Sequence, residues 1–158
     1  MNLEDFLIQL TEGTGISGFE QPVSAMIEDM WTNYTDQIKK DKLGNLIAYK
    51  NGNSRNPIRI MLAAHMDEIG LMVKNVDAKG FVQFTSIGGI DQRTLLAQEV
   101  IIHGKKDILG IIGAKPPHLQ TPEERKKAVK MEDLIIDTGY SKTKAQEYIA
   151  IGDPITFR

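Results

Sequence analysis

The sequence has 158 residues, of which 41% are hydrophobic and 25% are charged, with a formal net charge of −2 and no cysteine. This composition is typical of a soluble globular protein with one ordinary domain or two small ones. It excludes disulfides, thiolate metal sites and a thiol nucleophile, and it provides no global positive field for nucleic acid. The N-terminus carries Glu4 and Asp5 where a signal peptide has basic residues, and no apolar run reaches membrane-spanning length. We therefore expect a cytoplasmic protein that binds neither nucleic acid nor membrane.

The N-terminal segment predicts two helices. Apolar residues recur at helical spacing over residues 3–10, and Asn2 is placed to cap that helix. Residues 11–18 are rich in glycine and predict a flexible connector, since no Lys-Ser or Lys-Thr pair follows as in a phosphate-binding loop. Pro22 suits the first turn of the second helix, whose apolar face over residues 23–31 is typical of core packing.

Short strands follow, and the last of them leads to the most informative stretch. Residues 37–40 and 46–50 predict two strands, and the apolar run at residues 58–62 predicts a third that is buried. His65 and Asp67 follow this run and lie two residues apart, so that an extended chain directs both to one face. An imidazole beside a carboxylate suits a metal ligand with its orienting partner. The alternative is a polar strand end that only contacts solvent.

The pattern changes near Gly70, where we place a domain boundary. Strands are predicted at residues 69–73, 80–85, 98–103, 108–113, 134–137 and 152–157, with a helix from Ser141 to about residue 149. Turn signals spaced about ten residues apart predict a small β-barrel or sandwich. Residues 121–124, Thr-Pro-Glu-Glu, predict the start of another helix. Its basic residues are interpreted as a solvated face: Arg125, Lys126, Lys127 and Lys130.

Six short motifs occur along almost the whole chain. They are Ser17-Gly18-Phe19-Glu20, Asp41-Lys42-Leu43-Gly44-Asn45-Leu46, Ala64-His65-Met66-Asp67-Glu68-Ile69-Gly70, Gly88-Gly89-Ile90-Asp91, Lys115-Pro116-Pro117-His118-Leu119 and Gly152-Asp153-Pro154. In this order they resemble the N-terminal part of the dinuclear metallo-aminopeptidases. That family includes glutamyl aminopeptidases, the tetrahedral TET peptidases and proteins labelled cellulase M or endoglucanase.

The resemblance implies an α/β fold, a partial zinc-peptidase-like α/β/α domain with an inserted β-rich, PDZ-like dimerisation domain. Residues 1–69 would be the N-terminal part of the metallopeptidase domain, and residues 70–150 the inserted dimerisation domain. Residues 151–158 would begin the return to the peptidase domain. The family hydrolyses N-terminal residues from peptides with a metal-activated water, and its subunits form dimers that assemble into larger complexes.

The resemblance also implies roles for two residues. His65 matches a ligand of one of two divalent ions, zinc or cobalt, and Asp67 matches the catalytic aspartate that orients this histidine. The other ligands and the general base follow the inserted domain in the family, beyond the last residue of this sequence. We therefore expect a truncated, inactive chain in which the metal site is incomplete or absent. The remaining candidates match no ligand motif: Asp91, His103, Asp107, His118 and Asp153.

Two alternatives to a peptidase part that acts on a peptide substrate stay open. The first is a non-catalytic module that mediates self-association through the inserted β domain. The endoglucanase label suggests glycan hydrolysis as a further alternative, but glycosidases need two carboxylates at a defined separation, and no such pair stands out. The sequence does not specify which N-terminal residue is preferred, and nitrogen and oxygen ligands suit zinc, cobalt and manganese alike.

Overall fold

A computed structural model describes residues 2–126 and 129–158 and divides the chain into two compact units. The first unit ends at Glu68, and the second comprises Ile69–Arg158. Lys127, one of the residues interpreted as a solvated basic face, lies outside the described residues. Among the described residues, no helix has both the length and the apolar content needed to cross a membrane.

The first unit contains two helices and a two-stranded sheet. Helices α1 (Leu3–Glu12) and α2 (Gln21–Thr32) precede the antiparallel strands β1 (Gln37–Lys40) and β2 (Leu46–Tyr49). The side chain of Asn2 accepts a hydrogen bond of 2.8 Å from the amide of Asp5, and Pro22 lies in the first turn of α2. The structure confirms the predicted helices, cap and strands. Local spacing and capping chemistry are sufficient to define these elements.

The glycine-rich loop between α1 and α2 makes specific contacts, so the prediction of a flexible connector is wrong. Ile16 is fully buried and forms a parallel bridge with Glu68. A Cβ atom on Gly15 would lie only 2.7 Å from Cγ2 of Val23. Gly15 therefore allows the loop to approach α2 closely, and the loop is packed against the helix.

The apolar run at residues 58–62 is not a buried strand. The exposed fractions are 87% for Ile58, 80% for Ile60, 88% for Met61 and 93% for Leu62, and none of these residues belongs to a strand. An apolar run is buried as a strand only when neighbouring strands pair with its backbone and an apolar layer covers its side chains. The described residues supply neither a pairing strand nor a covering apolar layer for this run, so the prediction from the local pattern is wrong.

The second unit is a closed barrel of six strands with one short helix. The strands are β3 (Gly70–Val76), β4 (Val82–Ile87), β5 (Glu99–His103), β6 (Asp107–Ala114), β7 (Leu134–Asp137) and β8 (Pro154–Phe157), and α3 (Lys142–Tyr148) lies between β7 and β8. The strand order around the barrel is β3-β4-β7-β6-β5-β8, with antiparallel neighbours throughout. Of the two architectures that the turn spacing predicted, the structure has the barrel.

The barrel is filled by side chains that alternate along its strands. In β6, Ile108, Gly110 and Ile112 are buried while their neighbours Leu109 and Ile111 are about half exposed, as expected for a strand with one face inside. The described residues of this core that are at most 1% exposed are Leu71, Val73, Val82, Leu95, Val100, Ile102, Ile112, Ile136, Ala145 and Ile155.

The last strand, β8, lies between β3 and β5 and closes this barrel. β8 pairs with β3 through Leu71 and Ile155, and with β5 through Ile101 and Thr156. Ile155 is fully buried in the barrel core. Strand pairing on both edges and this apolar side chain hold β8 in the barrel, while the assignment of residues 151–158 to the start of the peptidase domain stays a prediction.

The predicted helix at residues 121–124 is also corrected. Among the described residues of this segment there is a single 3₁₀ turn at Glu124–Lys126, followed by a second one at Met131–Asp133. A short polar segment with no apolar stripe at helical spacing lacks the packing surface that stabilises longer helices.

Candidate metal-ligand site around His65 and Asp67

The imidazole of His65 and the carboxylate of Asp67 are in direct contact. Nδ1 of His65 lies 3.1 Å from Oδ1 of Asp67 and 2.9 Å from the backbone oxygen of the same residue. Both partners are hydrogen-bond acceptors, so Nδ1 is the ring nitrogen that carries the proton. In the neutral ring this leaves the lone pair on Nε2, and the His65 side chain is 86% exposed. The structure thus brings the two predicted residues together, with one ring nitrogen oriented and the other accessible.

A third residue, Ser17, completes this arrangement, although the local sequence pattern predicts no role for it. The Ser17 hydroxyl donates a hydrogen bond of 2.5 Å to Oδ2 of Asp67. The two carboxylate oxygens therefore have separate partners, Oδ1 facing His65 and Oδ2 facing Ser17. The only sequence signal for Ser17 was its place in the first of the six motifs.

These contacts stabilise the charged form of Asp67. The Ser17 hydrogen bond contributes most to holding the pKa of the Asp67 carboxyl below its usual range. Partial burial opposes this effect, while a bond to its own backbone amide and the neighbouring His65 lower the pKa further. The carboxylate is consequently ionised at neutral pH, as required of an acceptor for the imidazole N–H.

Backbone pairing fixes Ser17 beside Asp67. The amide of Glu68 donates to the carbonyl of Gly15 at 2.9 Å, and the amide of Ser17 donates to the carbonyl of Glu68 at 3.3 Å. The Glu68 carboxylate accepts a weaker bond of 3.4 Å from the Gly15 amide. Glu68 therefore has a structural role, through hydrogen bonds to the loop.

A small cleft opens next to this pair, within the first unit. It has a volume of about 270 Å³ and is lined by Leu10, Thr11, Gly13, Gly15, Val23, Met66, Asp67 and Glu68. This volume falls below the lower end of the range for small-molecule pockets. The cleft gives water and small ions access to Asp67, but by itself it does not enclose a peptide.

The other two histidines lie in the second unit. His103 ends β5, and its side chain is only 18% exposed. Its Nδ1 lies 2.8 Å from Oδ1 of Asp107, and its Nε2 lies 2.9 Å from the hydroxyl of Thr156. With both ring nitrogens engaged, His103 is a partly buried link between strands. His118 lies in an exposed 3₁₀ turn at Pro117–Leu119.

The remaining aspartates also have structural partners. Asp91 accepts hydrogen bonds from the backbone and the guanidinium of Arg93, which lower its pKa to about 2. Oδ2 of Asp153 accepts a bond of 2.8 Å from the amide of Ala150. In residues 2–126 and 129–158, no group of three His, Asp, Glu or Cys side chains is arranged to hold a metal ion. The one predicted ligand, His65, has an oriented ring with an accessible nitrogen.

Comparison with known proteins identifies the family. Residues 44–158 match the model of the M42 glutamyl aminopeptidases. The chain belongs to the M42 family. This confirms the resemblance inferred from the six motifs, and members of the M42 family are metal-dependent.

Three similar proteins illustrate the M42 relationship. A lysyl aminopeptidase of Pyrococcus furiosus is 33% identical over 146 residues, which is 90% of this chain and 41% of the relative. The solved structure of a TET aminopeptidase from a marine sediment Thaumarchaeota archaeon has a TM-score of 0.91 and 38% identity, covering 98% of this chain and 43% of that one. The TET1 peptidase of Pyrococcus horikoshii, which can assemble into a tetrahedron or a large octahedral shell, has a TM-score of 0.83 and 36% identity, with coverages of 99% and 47%.

This M42 chain therefore spans less than half the length of these relatives. The similarity confirms the α/β fold class and the correspondence with the N-terminal portion of the M42 fold.

Proposed function

We propose that this M42 chain acts as part of a metal-dependent aminopeptidase, which hydrolyses N-terminal residues from peptides. In this proposal His65 is a metal ligand and Asp67 is its orienting carboxylate. The observation that carries the proposal is the contact between Nδ1 of His65 and Asp67, which leaves Nε2 accessible. The peptidase names of the M42 relatives support the reaction class. Zinc or cobalt is the proposed metal, and a cytoplasmic location stays a prediction.

The residues of this chain prepare one ligand. The Asp67 carboxylate fixes the ring orientation and tautomer of His65 and raises the basicity of Nε2, which strengthens its bond to a cation. In a two-metal site, bound ions polarise the scissile carbonyl and activate a water molecule. A catalytic zinc site uses about three protein ligands for each ion, and the described residues bring no such group together. The proposed role of this chain is therefore limited to supplying and orienting His65.

Metal binding tests this role without requiring catalysis. We expect zinc or cobalt to perturb the ring nitrogens of His65 in ¹⁵N spectra, weakly because the other ligands are lacking. His118 is the matched control, since it is an exposed histidine with no role in the proposed site. An equal response of both histidines would contradict selective binding at His65, and tight stoichiometric binding would contradict the incomplete centre.

Peptide hydrolysis tests the reaction itself. We expect release of N-terminal amino acids from short peptides, in the presence of zinc or cobalt, once this chain is extended by the C-terminal region that its M42 relatives carry. His65→Ala should abolish that release, and His118→Ala should leave it unchanged. No release by the extended protein, or release that His65→Ala does not affect, would contradict the aminopeptidase proposal.

Self-association is the second candidate function. We propose that the β-rich segment at residues 70–150 mediates contacts between copies, because the TET1 relative forms closed multi-subunit shells. Sedimentation at increasing protein concentration should then reveal dimers or larger species, whereas a monomer at the highest concentration would contradict this role.

Glycan hydrolysis has no comparable support. The carboxylate of Asp67 is hydrogen-bonded to Ser17 and His65. The carboxylate of Glu68 accepts a hydrogen bond from the Gly15 amide.

A further inference from the structure

We propose that Ser17 is a positioning residue for His65, acting through Asp67. Its hydroxyl holds Oδ2 of Asp67 so that Oδ1 faces Nδ1 of His65, which keeps the imidazole in the tautomer with a free Nε2. The inference rests on the proposed function for its biological meaning, because an accessible Nε2 matters only if it binds a ligand. The geometry itself is independent of any bound metal.

Within its own segment, the Asp67 carboxylate is held by its own backbone amide and by the His65 ring. Residues 61–67 belong to no strand, so no ladder of backbone hydrogen bonds fixes the side chains that project from them. The Asp67 side chain is 38% exposed, and a carboxylate in contact with water is free to rotate about its terminal bond. A partner on Oδ2 restricts this rotation further, and Ser17 is the side chain that supplies it from outside the segment.

Ser17 can do this because its own position is fixed from both sides. Ile16 before it is fully buried and bridged to Glu68. Gly18 after it has a positive φ of 90°, and the Phe19 amide closes the turn onto the Ile16 carbonyl at 2.8 Å. The hydroxyl is therefore presented to Asp67 by a packed loop rather than by a freely moving side chain.

A second contact limits the size of the effect. The backbone oxygen of Asp67 also lies 2.9 Å from Nδ1 of His65 and favours the same tautomer. Loss of Ser17 should therefore shift the tautomer ratio without inverting it completely. One hydrogen bond contributes about 1 kcal/mol net, which corresponds to a roughly fivefold change in an equilibrium ratio.

The test measures the histidine tautomers directly by ¹⁵N NMR on the metal-free chain. The sample is kept at alkaline pH, near pH 8.5, to favour neutral imidazole. We expect the Nδ1–H form to dominate for His65 in the unmodified protein. In Ser17→Ala the ratio of the Nε2–H to the Nδ1–H form should rise about fivefold, while the tautomer of His103 should not change.

Two further variants separate the hydroxyl from the bulk of the side chain. Ser17→Thr keeps a hydroxyl and should restore the original ratio. Ser24→Ala removes the hydroxyl of a buried serine whose Oγ makes no hydrogen bond among the described residues, so it should have no effect. The amide signals of Gly15 and Glu68 report whether the loop is intact, and Ser17→Cys, with a weaker donor, should give an intermediate ratio if Ser17→Ala disturbs the loop.

A double-mutant cycle decides whether Ser17 acts through Asp67. In an Asp67→Ala background, Ser17→Ala should leave the His65 tautomer ratio unchanged, because its intermediary is gone. An unchanged ratio in Ser17→Ala with an intact loop, or the same fivefold change in the Asp67→Ala background, would overturn the proposal. Addition of zinc forms a separate arm: no response of Nε2 would contradict the proposed function but leave the tautomer result standing.

Discussion

The Ser17 hydroxyl and the Asp67 carboxylate are joined by a hydrogen bond of 2.5 Å, although fifty residues separate them along the chain. Asp67 in turn contacts Nδ1 of His65. The three side chains form a line in which each residue fixes the next, and Nε2 of His65 is its accessible end. The orientation of the proposed ligand therefore depends on a loop that is remote in sequence.

Asp67→Ala should weaken metal binding at His65. Loss of a carboxylate that orients a ligating histidine reduces metal affinity about 10–100-fold. The measurement is a zinc titration followed through the His65 ring signals. Asp107→Ala is the matched control, since it removes the same kind of contact from His103 at 2.8 Å and should leave the His65 titration unchanged. Equal weakening by both substitutions would argue against a specific role for Asp67.

His103→Ala should destabilise the barrel. Thr156 is only 8% exposed, and its hydroxyl lies 2.9 Å from Nε2 of His103, so the substitution leaves a buried polar group without this partner. We expect a loss of about 1–3 kcal/mol in the free energy of unfolding, measured by urea denaturation. His118→Ala, at an exposed position, should change it by less than about 0.5 kcal/mol. Similar values for the two variants would show that the strand link is unimportant.

Gly80→Ala should destabilise the hairpin between β3 and β4. Gly80 has a positive φ of 98°, and an added Cβ would meet the carbonyl oxygen of Tyr140 and the amide nitrogen of Lys142. Both obstacles are backbone atoms, so relief requires movement of the chain before α3. We expect a loss of more than about 2 kcal/mol in thermal or urea unfolding. Gly113→Ala in β6 is the control, because nothing lies within 4 Å of its added Cβ; an equal loss there would refute the steric explanation.

Arg93→Ala should reduce the acid sensitivity of the second unit. The hydrogen bonds and charge of Arg93 lower the pKa of Asp91 to about 2 from its ordinary 3.8. A lowered folded-state pKa stabilises the fold above the unfolded value, and this stabilisation is lost as the pH falls from about 4 to about 2. Urea midpoints between pH 5 and pH 2 should therefore decline less steeply in the variant. Arg158→Ala, which breaks the exposed pair with Glu99, should retain the original slope.

Leu62→Ala and Leu71→Ala should have very different consequences. Leu62 is 93% exposed, whereas Leu71 is fully buried in the barrel. We expect less than about 0.5 kcal/mol for the first substitution and about 2–5 kcal/mol for the second, both from urea denaturation of the unit concerned. A large loss at Leu62 would mean that the apolar run is covered in solution, contrary to its exposure in the structure.

Local patterns predicted most of the secondary structure. Helix α1 with its cap at Asn2, the strands on either side of Gly44, and the six barrel strands follow from spacing, capping and turn chemistry within windows of about ten residues. The contact between His65 and Asp67 belongs to this class too, since two residues separated by one other share a face of an extended chain.

The sequence by itself therefore determined the family, the order of the elements and the pairing of His65 with Asp67. The tertiary structure decided what depends on partners far along the chain. The run at residues 58–62 has the pattern of a buried strand but finds no neighbouring strand among the described residues, while Ile155 is drawn into the barrel by β3 and β5. Ser17 reaches Asp67 only because a buried bridge brings its loop alongside Glu68. A short stretch of sequence determines the face of a helix or strand on which a side chain lies. The residue that packs against that face comes from a distant part of the chain, which a local pattern does not reveal.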